Sequence, residues 1–404
     1  PVWRSVRPLG LGWGVPERGV PVTVADGRVD DGREIVYLSM DPVTSTVGSS
    51  QVVAYLCRLA ERGIAVHLHS FEHQVGARML APLDDAGVRW TVHRYGGPGA
   101  SGGLSRVVRL ARAIRGSHLV HARSDMAAAA AMLAGVDHWL WDVRSFWADQ
   151  KVATGVFTEE SPQARIFRRI ERAAADRSER VVTLTGSAIA ELDRRYGDAV
   201  GSKATVITTC VDRRRFRPVD TPSFGPIRLL LAGTLNRYYD VPLMLEFVRE
   251  LQRREDVELV VATPGETEWG DELASVDAVR TSATPDQMPS LIASCHAGLS
   301  VCRDDAGASL LAAMPTKIGE FLAVGRPVVV NAGLADAATL LSEVGAGVVL
   351  GGRSGVDQGV DRLLDLVGDR QTTERAVALA ASHFDLDEGV DRLIGVYREM
   401  GCSA

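Results

Sequence analysis

Short runs of Val, Ile and Leu alternate along this chain with stretches of helical period, and the whole alternation occurs twice. "EIVYLSM", "IAVHLHSF", "HLVHARS", "HWLWDVRS", "RVVTLT" and "ATVITTCV" each read as a strand. Amphipathic segments such as "SSQVVAYLCRLAERG", "LSRVVRLARAIRG" and "QARIFRRIERAAADRSE" stand between them. Strands separated by helices of that length make a parallel sheet covered on both faces. The pattern restarts after "DRRRFRPVDTPSFGP", which is rich in Arg and Pro, has no period, and reads as an interdomain linker. A second series follows with "RLLLAG", "VELVVAT", "AGLSVC", "PVVVN" and "GVVLG". The reading is α/β, with two doubly wound domains facing each other across a cleft. Ligands are expected at the carboxyl ends of the strands.

Bulk composition agrees with that reading and excludes several others. The 404 residues suit two domains rather than one core. A hydrophobic content of 46% with 24% charged residues is that of a globular protein in water. The longest weakly polar run, Met126 to Trp141, is broken by Asp137 and His138 and is too short to span a bilayer. No cleavable signal pattern opens the chain, and residues 1–34 read as an N-terminal extension. Five scattered cysteines fit neither a disulfide framework nor a zinc site, so a reducing, cytoplasmic location is expected. Residues 1–217 carry a net charge of +7 and the remainder −13, giving the chain its −6. The asymmetry implies different partners for the two halves, and the overall acidity argues against nucleic acid.

The stretch "AAMPTKIGEFLAVGRPVVV" (312–330) is the most informative piece of chemistry. It reads as a helix from Pro315 to Gly325 followed by a buried strand, with Pro and Gly as punctuation. Lys317 sits in the first turn, where the free amides and the macrodipole disfavour a cation. Those same amides make a ready anion site, and a phosphate there would supply the lysine's partner. Glu320, one turn deeper, can accept hydrogen bonds from the paired hydroxyls of a ribose. Together they describe a nucleoside-diphosphate site. The plain alternative is a Lys317–Glu320 i,i+3 pair worth a few tenths of a kcal/mol.

This stretch resembles the hallmark segment of retaining, GT-B-fold glycosyltransferases of the large family-four (group 1) type. "ATVITTCVDRRRF", "SMDPVTSTVGSSQVVAYLCRLAERG", "VHARSD" and "WDVRSFWADQ" are similar to other segments of that family, so the resemblance runs from about residue 35 onward. It implies a GT-B architecture of two Rossmann-like domains. Residues 35–217 would bind the acceptor and 218–384 the nucleotide sugar. A C-terminal helix in 385–404 would pack back on the first domain. The implied activity is transfer of a sugar from a nucleotide-diphosphate donor, UDP- or GDP-linked, to an acceptor hydroxyl with retention of configuration. The implied acceptor is a glycan, a lipid-linked molecule or a small molecule. No cofactor and no metal are implied.

Residue by residue, Glu320 matches the family's ribose-binding glutamate. The chain departs from the pattern elsewhere. The family's first glutamate, eight positions earlier, is here Ala312. In "LLLAGTLNRYYDVP", Thr234 stands where the family has a diphosphate-binding Arg and Tyr239 where it has a Lys. Arg237 and Lys317, with Thr316 beside the latter, are the candidates to replace those cations. Gly48 opens the first helix of the N-terminal half, where a small residue lets amides approach a ligand; simple capping by Ser49 and Ser50 is the equal alternative. His121, Arg123, Asp142 and Arg144 follow strands and are expected to face the cleft, with His121, Asp142 and Arg144 as the catalytic candidates. A buried ion pair of Asp142 with Arg144 or Arg123 is the competing reading. The arginines of "SRVVRLARAIRG" and "RIFRRIERAAADR" form a basic face that either is simply solvated or meets an anionic membrane surface. Asp304–Asp305 and Asp385–Asp387 lack a supporting cluster and read as loop and helix-start acids rather than metal ligands. A catalytically inactive partner protein and a nucleotide-sugar epimerase remain alternatives.

Overall fold

The computed structural model describes residues 23–24, 34–73, 77–97, 99–197, 200–223, 225–265 and 267–402. The first sheet contains β1 (Thr23–Val24), β2 (Ile35–Ser39), β3 (Val66–Glu72), β4 (Arg89–Arg94), β5 (Leu119–Arg123), β6 (His138–Val143), β7 (Arg180–Thr183) and β8 (Ala204–Val206). Their order is β1-β4-β3-β2-β5-β6-β7-β8, parallel throughout except for β1 against β4. That pairing, Thr23 with Thr91 and Val24 with Trp90, places two residues of the expected extension in the sheet. The rest of residues 1–33 lies outside the described residues.

The second sheet contains β9 (Ile227–Ala232), β10 (Val257–Ala262), β11 (Val279–Thr281), β12 (Ala297–Ser300), β13 (Val328–Asn331) and β14 (Gly347–Leu350). It is parallel, in the order β11-β10-β9-β12-β13-β14. Both sheets therefore reverse direction once, between β2 and β5 in the first and between β9 and β12 in the second. Those are the places where open α/β sheets leave a crevice for ligand.

Nine helices are labelled: α1 (Ala54–Glu61), α2 (Asp125–Ala134), α3 (Pro162–Arg177), α4 (Gly186–Tyr196), α5 (Val241–Gln252), α6 (Thr316–Val324), α7 (Ala335–Val344), α8 (Gln371–His383) and α9 (Leu386–Glu399). Each sheet is covered on both faces, which gives four apolar clusters, two to a sheet. The chain crosses between the domains twice. Val211 and Asp385 form a parallel bridge where the two crossings run side by side. Beyond the second crossing, α9 packs on α1 and contributes Leu393, Ile394 and Tyr397 to the core of the N-terminal domain.

Candidate functional site

Helix α6 begins at Thr316 with Pro315 as its cap, and ends at Gly325 in the left-handed conformation (φ 89°). No side chain caps its start. Ile318, Phe321 and Leu322 enter the core, which carries Glu320 inward with them. Lys317 Nζ donates to Glu320 Oε2 at 2.7 Å, and the two side chains are only 14% and 9% exposed. The i,i+3 pair therefore exists, but in a largely desolvated setting where an exposed pair's weak energetics do not apply.

The loop after β9 takes a different place. Thr234 is exposed behind Gly233 (φ 122°). Arg237 lines a cavity of about 590 Å³ together with Tyr239, Trp269, Arg303 and Asp305. This cavity lies over the carboxyl ends of β9, β10 and β12, at the reversal of the second sheet. Arg303 is held by Asp305 at 2.9 Å and donates to the Arg237 carbonyl at 3.4 Å. Tyr239 is no surrogate cation: burial pushes its hydroxyl pKa up, and its backbone bridges to Cys302. Lys317 and Glu320 do not line this cavity.

In the N-terminal domain, the carboxyl ends of β5 and β6 carry a buried polar network. Asp142 Oδ2 accepts from Arg144 Nε at 2.7 Å and from His121 Nε2 at 3.1 Å, with Arg123 Nη1 3.6 Å away. Burial lowers the His121 pKa and keeps the ring neutral. A neutral ring that donates from Nε2 must accept at Nδ1, here from the Tyr397 hydroxyl at 2.7 Å. Burial raises the Asp142 pKa, but Arg144, His121 and Arg123 outweigh it and hold the carboxyl well below the usual range. His121 and Asp142 are fully buried under α1 and α9. They lie beneath the cleft surface rather than on it, and Arg123 and Arg144 are the members nearest solvent.

Gly48 has a local structural reason. A Cβ there would stand 2.5 Å from the Pro42 carbonyl oxygen and from Val43 Cα. The turn is held by Glu72, whose carboxylate accepts from Val43 N (2.9 Å) and from the Thr44 hydroxyl (2.7 Å).

A cavity of about 360 Å³ lies between the domains, lined by Leu184, Val206 and Thr208 from one side and by Met314, Ala335 and Asp336 from the other. Beside it, Asp336 accepts from the Gly186 and Ser187 amides (2.6 and 3.1 Å) at the start of α4. The Thr185 hydroxyl donates to the Leu311 carbonyl. Ala312, where the family has its first glutamate, is 0% exposed and belongs to an apolar cluster of the N-terminal domain. A carboxylate at that position would be stripped of water without a partner.

Residues 48–209 match the glycosyl transferase 4-like domain. No curated protein matches the chain in sequence. Among solved structures, sucrose-phosphate synthase from Thermosynechococcus elongatus is similar with a TM-score of 0.71 at 12% identity, covering 92% of this chain and 100% of that one. Anabaena HepE, solved with UDP-glucose, gives 0.67 at 14% identity over 91% and 99%. WaaG, a glycosyltransferase involved in lipopolysaccharide biosynthesis, gives 0.64 at 14% over 89% and 100%. The fold is that of a GT-B glycosyltransferase.

Within the GT-B frame, three features escaped the reading from residue types. Asp336 is an unremarkable acid near a helix start until α4 is brought against it. Glu72 ends a strand whose sequence signals only burial. Ser124, the last residue before α2, adopts φ 82° and ψ 168°, a region that side chains other than glycine's rarely occupy. No residue type announces that conformation. No described helix is long and apolar enough to cross a membrane, and among the described residues no cluster suits a metal ion. The basic N-domain face is partly committed to the protein: Arg106 is buried over the Tyr95 ring, and Arg168 pairs with Asp149 and Glu159.

Proposed function

We propose that the chain transfers a sugar from a UDP- or GDP-linked donor to a hydroxyl of a glycan, lipid-linked or small-molecule acceptor, with retention of configuration. One observation carries the reading. The glycosyl transferase 4-like segment faces a second parallel-sheet domain across a cavity lined by the ends of β7 and β8 on one side and by Met314 and the start of α7 on the other. HepE, a structural neighbour, was solved with a nucleotide sugar, which supports a donor of this class.

In this reading Glu320 receives the ribose hydroxyls. Lys317 turns from Glu320 toward the diphosphate, joined by the Thr316 amide and hydroxyl. Arg237 and Thr234 approach the same group from the loop after β9. The bond from C1 to the diphosphate oxygen breaks while the acceptor oxygen bonds to C1 on the same face, and the acceptor's proton passes to the departing diphosphate. Cations and helix amides at that oxygen supply the main electrostatic stabilisation, and closure of the domains excludes water. The step requires neither a resident cofactor nor a metal. His121, Asp142 and Arg144 hold the acceptor side in shape, with Gly48 keeping the turn above them close. A reducing, cytoplasmic setting fits the free cysteines, and exposed Arg109, Arg112 and Arg115 give the chain a surface for peripheral contact with an anionic membrane.

Calorimetric titration with UDP, GDP, dTDP and ADP tests the reading. At least one is expected to bind, and Lys317→Ala is expected to weaken it about tenfold, one charged hydrogen bond's worth. Absence of binding to all four would sink the transfer reading; tight binding unchanged in the variant would remove Lys317 from the site. The burial of Ala312 in the opposite domain favours a second reading, a nucleotide-binding GT-B partner without turnover. Donor binding with no sugar release or transfer by NMR would select it.

A further inference from the structure

We propose that the acceptor carries a singly charged oxyanion, a carboxylate or a phosphodiester, and that Arg123 and Arg144 bind it at the carboxyl ends of β5 and β6. The name acceptor rests on the transfer reading above; the site itself does not. Two guanidinium groups share one carboxylate, Asp142, and His121 is neutral, so the network holds one positive charge in excess. The two arginine side chains are only 12% and 13% exposed. An uncompensated charge at that depth is costly unless a counter-charge joins it. One negative charge balances it.

Arg123 Nη1 and Arg144 Nη1 are buried and have no hydrogen-bond partner. The Thr208 and Thr209 hydroxyls, which can donate, are in the same condition, as is Asp142 Oδ1, and Gln51 and Tyr55 tie the chain at 208–210 to the helix start above the arginines. Native proteins leave few such atoms, and each calls for an explanation. Arg326 is a guanidinium satisfied by the protein alone: its nitrogens meet the carbonyls of Cys295, Val219, Asp220 and Ala293 at 2.7–2.9 Å.

Arg123 ends β5, one of the two strands between which the sheet reverses. Ser124 follows in its strained conformation, its amide tied to the Asp142 carbonyl at 3.0 Å and its hydroxyl making no capping bond. Above them the chain forms a π-helical turn, Ser49–Val53, a departure from regular helix found frequently at functional sites. Strain of this kind collects where ligands are held.

The test uses the full chain saturated with UDP, so that the donor's own anion site is filled. Sodium glucuronate, dimethyl phosphate and neutral glucose are titrated separately, followed by thermal shift. Glucuronate or dimethyl phosphate is expected to raise Tm at concentrations where glucose does not; whichever acts identifies the acceptor's charged group as carboxylate or diester, and both acting identifies a general oxyanion site. No shift with either anion overturns the proposal. Arg123→Gln is expected to weaken the anion more than tenfold and Arg123→Lys to restore part of it; unchanged affinity in Arg123→Gln overturns it. Should that variant not fold, phenylglyoxal labelling of the wild-type chain decides, since glucuronate must protect Arg123 and Arg144. UDP calorimetry on the same samples keeps the two ideas apart. UDP binding without anion binding removes this inference and leaves the transfer reading. Anion binding through Arg123 without UDP binding does the reverse.

Discussion

Arg326 is fully buried, yet no carboxylate lies within salt-bridge distance of it among the described residues. Its guanidinium is solvated by main-chain carbonyls from the 219–220 linker and from the end of the helix before β12, so one side chain pins the incoming linker to the C-terminal domain. Burial lowers its pKa without neutralising it. Arg326→Met should destabilise the chain by several kcal/mol, because buried carbonyls lose their donor together at about 1–3 kcal/mol each; urea unfolding would measure it. The sequence around Arg326 reads as helix, turn and strand, and nothing in "GRPVVV" tells its anchoring role. The contrast with Glu320 is instructive. Its inward placement was legible because it stands among Ile318, Phe321 and Leu322 at helical spacing, whereas the Lys317 partner at 2.7 Å became visible only with the rotamers. His121 was legible as a strand-end residue but not as a buried one, because the residue that covers it, Tyr397, lies far away in the chain.

At the scale of elements, α6 and β12 are fitted through a missing side chain. A Cβ on Gly298 would stand 2.3 Å from the Phe321 ring. Gly298→Ala should therefore cost about 1–3 kcal/mol, as overpacking does, or more where the backbone cannot yield; a fall in Tm with unchanged fluorescence of the native state would register it. Strands β3 and β4 carry a second consequence. His67, His69 and His93 stack across the pair, and His69 Nδ1 meets His93 Nε2 at 3.1 Å. Burial and neighbouring positive charge lower the pKa of His67 and His93 to about 4, and that of His69 further. The native state thus holds neutral imidazoles while the unfolded chain begins to protonate near pH 6.5. The unfolded state binds more protons in that window, so stability should fall as pH drops from about 6.5 toward 4. Thermal melts across that range check the sign, and a Tm that rises on acidification would refute it. The elements themselves were well signalled, because parallel strands buried on both faces appear as plain Val/Ile/Leu runs. The π turn and the Ser124 conformation were not, since both are backbone states that no residue type announces.

At the scale of the molecule, Asp336 supplies two polar contacts between the domains, to the amides that open α4. A carboxylate there is favoured by the free amides and the helix dipole. Asp336→Ala should loosen the closed arrangement by about 1–2 kcal/mol without unfolding either sheet. Small-angle scattering would show an increased radius of gyration, and an identical profile would remove the latch role. Two domains and a linker were legible from composition and period. How they close was not, because that depends on which loop of one domain reaches which helix of the other.

The second crossing has an evolutionary corollary. Since α9 belongs by sequence to the end of the chain but completes the apolar core of the first domain, neither half is a portable cassette. A gene cut at the linker would yield one fragment lacking a wall and another carrying a spare one. Recombination among such chains can therefore exchange the segment that carries the second sheet, β9 to α8, as an insertion between two fixed ends, but cannot exchange halves.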